Sequence, residues 1–482
     1  MPILYTAGKC CIFALNTYHR GDRMSARLLI VGLDGADGRT LDRASRDGTL
    51  PNLAVMRARG RAWALSSAQG ATDDALWASF QYAADVGEHG RYSHEILTGF
   101  AVTEEFDRET FWDKLSRQGL RVAVLDVPKC RQPRPLNGIH LADWLVHGQY
   151  FHSRPLSYPE ALTDNILARF GAAPPSRCAY QSAALSDDDV QIVRDNLFRA
   201  VGQKRAAGLH FLSAEPWDLF IIGFKEAHCS CHMFWEFADS AHAKYDAARV
   251  ARLGNPVLEV LKEQDAAIGE LIAVAGPNAN VVVFSTTDFA PNGSILHLMP
   301  EILERVNRYL GTRASERILL ALRRLVGRGT RRAWSVFYSD NVAALRVPRG
   351  PEDNVRRYAQ RLDMIAELAR ELVDVDDGLP VVSAVTRPAF EHTGERAAGL
   401  PHLLLHFRQN ICSRAVTSAR LGRIEAPRPD NIRSGNHEAG GFAFAIGPAA
   451  GDAMAQIKSM KDFASLAARV LVRREQKMAA TG

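Results

Sequence analysis

Residue types suited to metal chemistry follow two apolar runs of the chain. Asp34 comes directly after the aliphatic and β-branched run Leu28–Leu33, and His228 and His232 follow a second such run, Trp217–Phe224. Histidines four residues apart share one face of a helix, about 5–6 Å apart at Cβ, which suits chelation of a single ion. Ligands of α/β proteins gather at the carboxyl ends of parallel strands. The pattern favours a metal site, and a pair of solvated or hydrogen-bonded histidines is the alternative.

The elements that must position these residues alternate between strand and helix through most of the sequence. A helix beginning at Phe111 ends at Gly119 and leads into the strand Arg121–Pro128, and a further apolar run spans Asn280–Asp288. Such alternation is typical of a mainly parallel sheet. We therefore predict an α/β fold whose central sheet carries helices on both faces.

Composition narrows the class of protein. The chain has 482 residues, 47% of them hydrophobic, and a formal charge of +5. Apolar stretches such as Val281–Phe284 are far shorter than the roughly 20 residues that span a bilayer. An odd number of cysteines, seven, without a regular spacing favours reduced thiols in the cytoplasm. We expect no membrane partner.

An arginine-rich stretch lies between Glu301 and Gly350. Such a stretch can bind an anionic substrate or nucleic acid, but charge runs are more often solvated helix faces. No nucleic-acid motif accompanies it, so we expect no nucleic-acid partner. Its clustered members are Arg323, Arg324, Arg328, Arg331 and Arg332.

Four short motifs resemble a known family. They are Leu-Asp-Gly-Ala at 33–36, Leu-Pro-Asn-Leu at 50–53, Trp-x-Ser-Phe at 77–80 and Gly-x-His-Gly at 87–90. Their order and spacing resemble the type I phosphodiesterase/nucleotide pyrophosphatase branch of the alkaline phosphatase superfamily, and the resemblance covers about Arg27 to Pro448. It implies an alkaline-phosphatase-like fold and hydrolysis of small anionic substrates.

The resemblance also implies how the chain is divided. Residues 25–475 are expected to form one alkaline-phosphatase-like domain, with an elaboration at about 300–430 on the same sheet. Residues 1–24 read as an N-terminal extension that ends at the expected true start, Met24, with a cryptic export signal as the alternative. Residues 476–482 read as a tail.

One metal of the resembled family is held by an Asp and a His four residues apart on a helix, plus a late His. The corresponding residues here are His228, His232 and His437, the last in a Gly-rich turn before an apolar strand. The Asp has become a histidine, so the resemblance implies a His₃ site. Three imidazoles can hold Zn²⁺ with an open position for water, and Fe²⁺ and Cu²⁺ are the alternatives.

The second metal of the family lies between the early Asp, the nucleophile and a later Asp-His pair. Asp34 is retained, but Thr286 and Thr287 stand where the pair is expected. A neutral hydroxyl neither cancels charge nor donates strongly to a divalent cation. We therefore expect the second ion to be weakly bound or absent.

The nucleophile position is also altered. The family carries Thr or Ser about four residues before the Trp, which gives Asp73 here, with Thr72 one place earlier. Thr72 is equally suited to cap the helix, and a hydroxyl needs a base or metal to become nucleophilic. We expect a metal-activated water to attack instead. Asp34, Asp73, Asp288 and Glu226 are the candidate general bases.

The sequence therefore predicts a diverged metal-dependent hydrolase or transferase. It would act on a phosphate or sulfate ester, or a related electrophile, through a mononuclear His₃ centre. Two alternatives stay open at this point: a family member that has lost catalysis, and a biosynthetic metalloenzyme with iron or copper in the same site.

Overall fold

The computed structural model describes most of the chain. The described residues are 26–67, 71, 73–91, 108–130, 133–145, 154–175, 185–311, 334–339, 341–349, 353–411, 413–427, 433–451 and 454–472. Four predictions fall on residues outside these ranges: the extension at 1–24, the nucleophile candidate Thr72, the arginine cluster at 323–332 and the tail at 476–482.

Seventeen strands are found among the described residues. They are β1 Ala26–Leu33, β2 Arg61–Ala64, β3 Val122–Leu125, β4 Gly138–Ala142, β5 Leu156–Tyr158, β6 Trp217–Phe224, β7 Asn280–Ser285, β8 Asp288–Pro291, β9 Trp334–Ser339, β10 Val342–Arg346, β11 Val373–Asp374, β12 Val382–Thr386, β13 Leu403–Phe407, β14 Ala415–Thr417, β15 Ile424–Glu425, β16 Gly435–Glu438 and β17 Phe442–Ile446.

The α-helices of the described residues connect and cover these strands. They are α1 Gly38–Arg46, α2 Pro51–Arg59, α3 Asp73–Tyr82, α4 Val86–His89, α5 Phe111–Arg117, α6 Ala161–Phe170, α7 Asp187–Ala214, α8 Glu226–Ala238, α9 Ala247–Leu253, α10 Pro256–Ala275, α11 Met299–Leu310, α12 Val355–Arg370, α13 Pro388–Glu391 and α14 Phe463–Leu471.

The largest sheet has eight strands in the order β2-β17-β7-β1-β6-β3-β4-β5. Its centre is parallel, because β1 pairs in parallel with both β6 and β7, and β3 with both β6 and β4. The antiparallel strands β17, β2 and β5 lie toward its edges. The prediction of a mainly parallel central sheet is confirmed.

Both faces of this sheet are covered by helices. Along β1, Leu29 and Val31 point into a core with α1, α2, α7, α8 and α10, whereas Leu28 and Ile30 point into a second core with α3, α5 and α14. Alternate residues of a strand face opposite sides, so a strand buried on both sides is apolar throughout. This is why Leu28–Leu33 lacks polar residues.

The chain between Ile295 and Ala426 builds smaller sheets and a core of its own. A four-stranded sheet has the order β12-β13-β10-β9 and a three-stranded sheet the order β11-β14-β15. Their apolar residues pack against α11 and α12 in a third cluster. This is the stretch in which the sequence predicts an elaboration.

One local prediction is wrong. His437 does not lie in a turn; it lies on β16, which pairs antiparallel with β8 and brings His437 opposite Phe289. The glycine-rich sequence hides this strand because glycine is rare in strands. No helix among the described residues is both long and apolar enough to cross a membrane.

Candidate functional site

Three histidine rings converge at the carboxyl edge of the central sheet. The ring centroids of His228 and His232 are 4.6 Å apart, those of His228 and His437 4.9 Å, and those of His232 and His437 4.7 Å. One ligand nitrogen from each ring lies within 4.8 Å of the others. The three residues named from the sequence therefore form a cluster of metal-ligand spacing, and their role as ligands stays a prediction.

The cluster is assembled from β6, α8 and β16. Helix α8 begins directly after β6, so His228 and His232 lie one turn apart at the edge where ligands gather. The turn after β1 approaches them through Gly35, whose φ is +58°. A Cβ at Gly35 would lie 2.8 Å from the Cα of His228, so only glycine allows this approach.

His232 is held in one tautomer. Its Nδ1 lies 2.8 Å from the carbonyl oxygen of Gly435, and because a carbonyl can only accept, Nδ1 carries the proton. The lone pair is then on Nε2, which lies 3.1 Å from Nε2 of His437. Two nitrogens bound to one tetrahedral zinc at about 2.0–2.1 Å lie about 3.3 Å apart. The spacing fits a shared cation, provided that the Arg433 guanidinium, whose Nη1 lies 3.2 Å from His232 Nε2, moves aside when the cation binds.

His437 is oriented by one of the two threonines at the altered ligand positions. Thr287 Oγ1 lies 3.0 Å from His437 Nδ1, which leaves Nε2 toward the cluster. Hydrogen bonds at the outer nitrogen commonly orient metal-binding histidines. Thr286 has a different contact, since its Oγ1 accepts from the backbone N–H of Gly35 at 3.4 Å.

Burial keeps two of the rings neutral. It lowers the pKa of His437 to about 3. Burial, assisted by the charge of Arg433, also lowers the pKa of His232 well below its usual value. Neutral imidazole is the form that binds metal, so no proton has to leave these rings near neutral pH.

A second group of potential ligands adjoins the first and shares His228. His228 Nδ1 lies 3.3 Å from Asp34 Oδ2 and 3.7 Å from Asp73 Oδ2. Ligand atoms of these three residues lie within 4.8 Å of one another. Asp34 is fixed by Trp77, whose Nε1 donates to Oδ1 at 2.6 Å.

Asp73 links the two groups. Its Oδ1 lies 3.6 Å from His437 Nε2, while its Oδ2 faces His228. Burial alone would raise the pKa of Asp73, but the charge of the nearby Lys129 outweighs it and holds the pKa well below its usual range. The carboxylate is therefore ionised at all working pH values and is a weak base.

Two cationic residues of the site were missed from the sequence. Lys129 Nζ lies 3.3 Å from Asp73 Oδ2, and Arg433 Nη1 lies 3.2 Å from His232 Nε2. Neither residue belongs to a recognisable motif. Lys129 could have been found because it follows β3 at the same sheet edge, whereas nothing near Arg433 indicates its position.

Two candidate general bases lie elsewhere. Asp288 is 3.8 Å from Arg39, and Glu226 accepts from Gln264 Nε2 at 3.2 Å. Among the described contacts, neither carboxylate forms a hydrogen bond or ion pair with the three histidines. Cys229 and Cys231 are buried in the core, as expected for packing residues.

Comparison with known protein families shows to which family the chain belongs. The family model described as type I phosphodiesterase/nucleotide pyrophosphatase matches residues 28–389. The chain belongs to this family. The match includes Asp34, Asp73, His228 and His232 but ends before His437. No curated protein sequence gives a significant match.

A solved structure of the alkaline phosphatase superfamily shares the fold. Phosphonoacetate hydrolase from Sinorhizobium meliloti 1021, in complex with phosphonoformate, has a TM-score of 0.51 at 13% identity, covering 93% of this chain and 96% of that one. Human ectonucleotide pyrophosphatase/phosphodiesterase 5 has a TM-score of 0.42 at 13% identity, with 88% of each chain covered. The first of these confirms the predicted alkaline-phosphatase-like fold.

Proposed function

We propose that this family member is a metal-dependent hydrolase or transferase with a mononuclear His₃ centre. Its substrate would be a small anion: a phosphate or sulfate ester or a related electrophile. The observation that carries the proposal is the convergence of His228, His232 and His437 within 4.8 Å. The family itself supports phosphoester chemistry.

The donor set fits one divalent transition metal. Three imidazoles bind Zn²⁺ and leave a position open, and they also accept Fe²⁺ or Cu²⁺. A divalent ion held in this way supplies a Lewis acid and lowers the pKa of water. The chain's own contribution is to fix the rings, through the Gly435 carbonyl at His232 and Thr287 at His437.

The charged residues support an anionic substrate. Lys129 and Arg433 present cationic groups on two sides of the histidine cluster, at Asp73 and at His232 respectively. Cationic side chains beside a metal centre favour phosphate or sulfate oxygens. Asp73 is the fixed negative charge that holds Lys129 and faces His437. The remaining base candidate at the site is Asp34.

Metal analysis and a substrate screen test this function together. We expect about one tightly bound zinc per chain, and hydrolysis of at least one aryl phosphate monoester, diester or aryl sulfate. His232→Ala and His437→Ala should each lose the ion and at least about 100-fold in activity. His210→Ala, at a half-buried position of α7 where the ring packs on Phe170 and Phe211, is the control outside the site and should retain both.

Other outcomes would overturn the proposal. Two tightly bound zinc ions, or no ion after loading with excess zinc, would exclude a mononuclear centre. A coloured protein that contains iron or copper would favour redox chemistry over hydrolysis at the same site. If His232→Ala behaved like the unaltered protein in every assay, the chain would be a family member that has lost catalysis.

A further inference from the structure

We infer that the ammonium group of Lys129 takes the place of a second metal ion, and so limits this site to one. The inference rests on the proposed function, since it concerns the ligand group beside the His₃ centre. That group consists of Asp34, Asp73 and His228. Lys129 is thereby a positioning residue that acts through Asp73.

The group has the composition of a metal site. Two carboxylates and an imidazole are ordinary ligands for zinc or manganese, and their atoms lie within 4.8 Å of one another. Thr286 and Thr287 do not complete this group, because they contact Gly35 and His437 instead. Asp73, which stands at the nucleophile position of the family, supplies a carboxylate where a hydroxyl is expected.

Lys129 provides the charge that the carboxylates require. Its Nζ lies 3.3 Å from Asp73 Oδ2 and 3.7 Å from Asp74 Oδ1. Asp73 Oδ2 is the same atom that faces His228 at 3.7 Å. A dication at this group would therefore stand a few ångströms from the ammonium, and two like charges at that distance repel strongly away from bulk water.

The loop after β3 holds Lys129 in this position. Lys129 has a φ of +58° and Asp126 a φ of +51°, so the loop contains two left-handed residues that are not glycine. Asp126 is anchored by the buried Lys204 and Lys225. The side chain of Lys129 is only 11% exposed. The ammonium is thus a fixed part of the site.

Removing the charge should create a second metal site. We expect Lys129→Met, loaded with zinc and dialysed, to hold about two ions per chain where the unaltered protein holds about one. The affinity for the additional ion should rise at least about 100-fold in a chelator competition. Lys129→Arg, which keeps the charge, is the matched control and should hold one ion. Lys129→Gln replaces Lys129→Met if that variant does not fold.

Two further substitutions assign each ion. Asp34→Asn in the Lys129→Met background should remove the additional ion, whereas His437→Gln should remove the other. A folded neutral variant without an additional ion would overturn the inference, as would an Asp34-dependent ion in the unaltered protein or a gain in Lys129→Arg. If the unaltered protein binds no ion that depends on His437, but Lys129→Met gains an ion that depends on Asp34, the proposed function fails and the inference about Lys129 stands.

Discussion

At the residue scale, the site depends on groups that hold the histidines rather than on the histidines alone. Thr287 and the Gly435 carbonyl each contact the outer nitrogen of a ring. Such contacts set the tautomer and the direction of the lone pair. The threonines that look like lost ligands in the sequence thus have different uses, and Thr287 has become a support for His437.

The support from Thr287 can be measured. Thr287→Val keeps the shape of the side chain but removes the hydrogen-bonding hydroxyl, and we expect zinc affinity to fall about 10–100-fold. Competition with a chromogenic chelator measures this. Thr286→Val is the control, because Thr286 contacts the backbone of Gly35 rather than a histidine. Equal losses in both variants would argue against the orienting role.

Asp288 introduces a pH dependence of stability outside the histidine cluster. Burial, followed by the nearby Asp37 charge, raises its pKa from 3.8 to about 6. The folded protein therefore binds an additional proton between these values, and stability falls as pH rises from about 4 to 6 and stays lower above it. Two pKa units correspond to about 2.7 kcal/mol, which screening at this partly exposed site reduces to about 1 kcal/mol.

Asp288→Asn should remove that cost. We expect the variant to be about 1 kcal/mol more stable than the unaltered protein at pH 8 and equally stable near pH 4. Urea unfolding at the two pH values provides the measurement. An advantage that is independent of pH would show that Asp288 acts through something other than its charge.

At the element scale, a buried ionic network anchors the loop after β3. Asp126 accepts from Lys204 and from Lys225 Nζ, the latter at 2.9 Å, and from the backbone N–H groups of Trp144 and Leu145. Burial opposes ionisation of Asp126, but the two lysines hold its pKa below the usual value. The network ties α7, the start of α8 and the loop of Lys129 together.

Neutralising Asp126 should therefore be costly. Asp126→Asn leaves two buried lysines without their counter-charge, and we expect a loss of about 3–5 kcal/mol in the free energy of unfolding. Asp164→Asn, which breaks the exposed ion pair with Arg154, is the control, and exposed pairs contribute at most about 1 kcal/mol. Similar losses in the two variants in urea unfolding would contradict the anchoring role.

At the scale of the whole molecule, the ion would join parts of the chain that are far apart in sequence. His228 and His232 lie on α8, beside the central sheet, and His437 lies on β16, which pairs with β8 in a separate two-stranded sheet. A ligand that binds only the folded state stabilises it by about 2.7 kcal/mol at a concentration 100 times its dissociation constant. Binding of the proposed metal ion would thus be coupled to folding.

Metal removal should reveal this coupling. We expect a chelator to lower the midpoint of thermal unfolding by a few degrees. The double variant His232→Ala/His437→Ala should have the lower midpoint from the start and show no response to the chelator. A midpoint of the unaltered protein that does not change with zinc or chelator would contradict the coupling.

The sequence predicts the central sheet well because its strands are buried on both sides. Runs such as Trp217–Phe224 are long, apolar and followed by polar residues. Both the strand and the candidate site at its end can therefore be predicted from the sequence. Lys129 and Arg433 were not predicted, because their approach depends on loop conformation rather than on local pattern. The strand containing His437 was missed because its pairing with β8 is a tertiary contact, and because its own segment is rich in glycine.

The separation of 205 residues between His232 and His437 constrains the order of events during synthesis. His228 and His232 leave the ribosome long before His437 is synthesised. Until then the growing chain offers a metal ion only two ligands, and cellular thiols could compete for the ion. The third ligand of the proposed site becomes available only after β16 has packed beside α8. The proposed metal ion would therefore bind late, after most of the fold has formed.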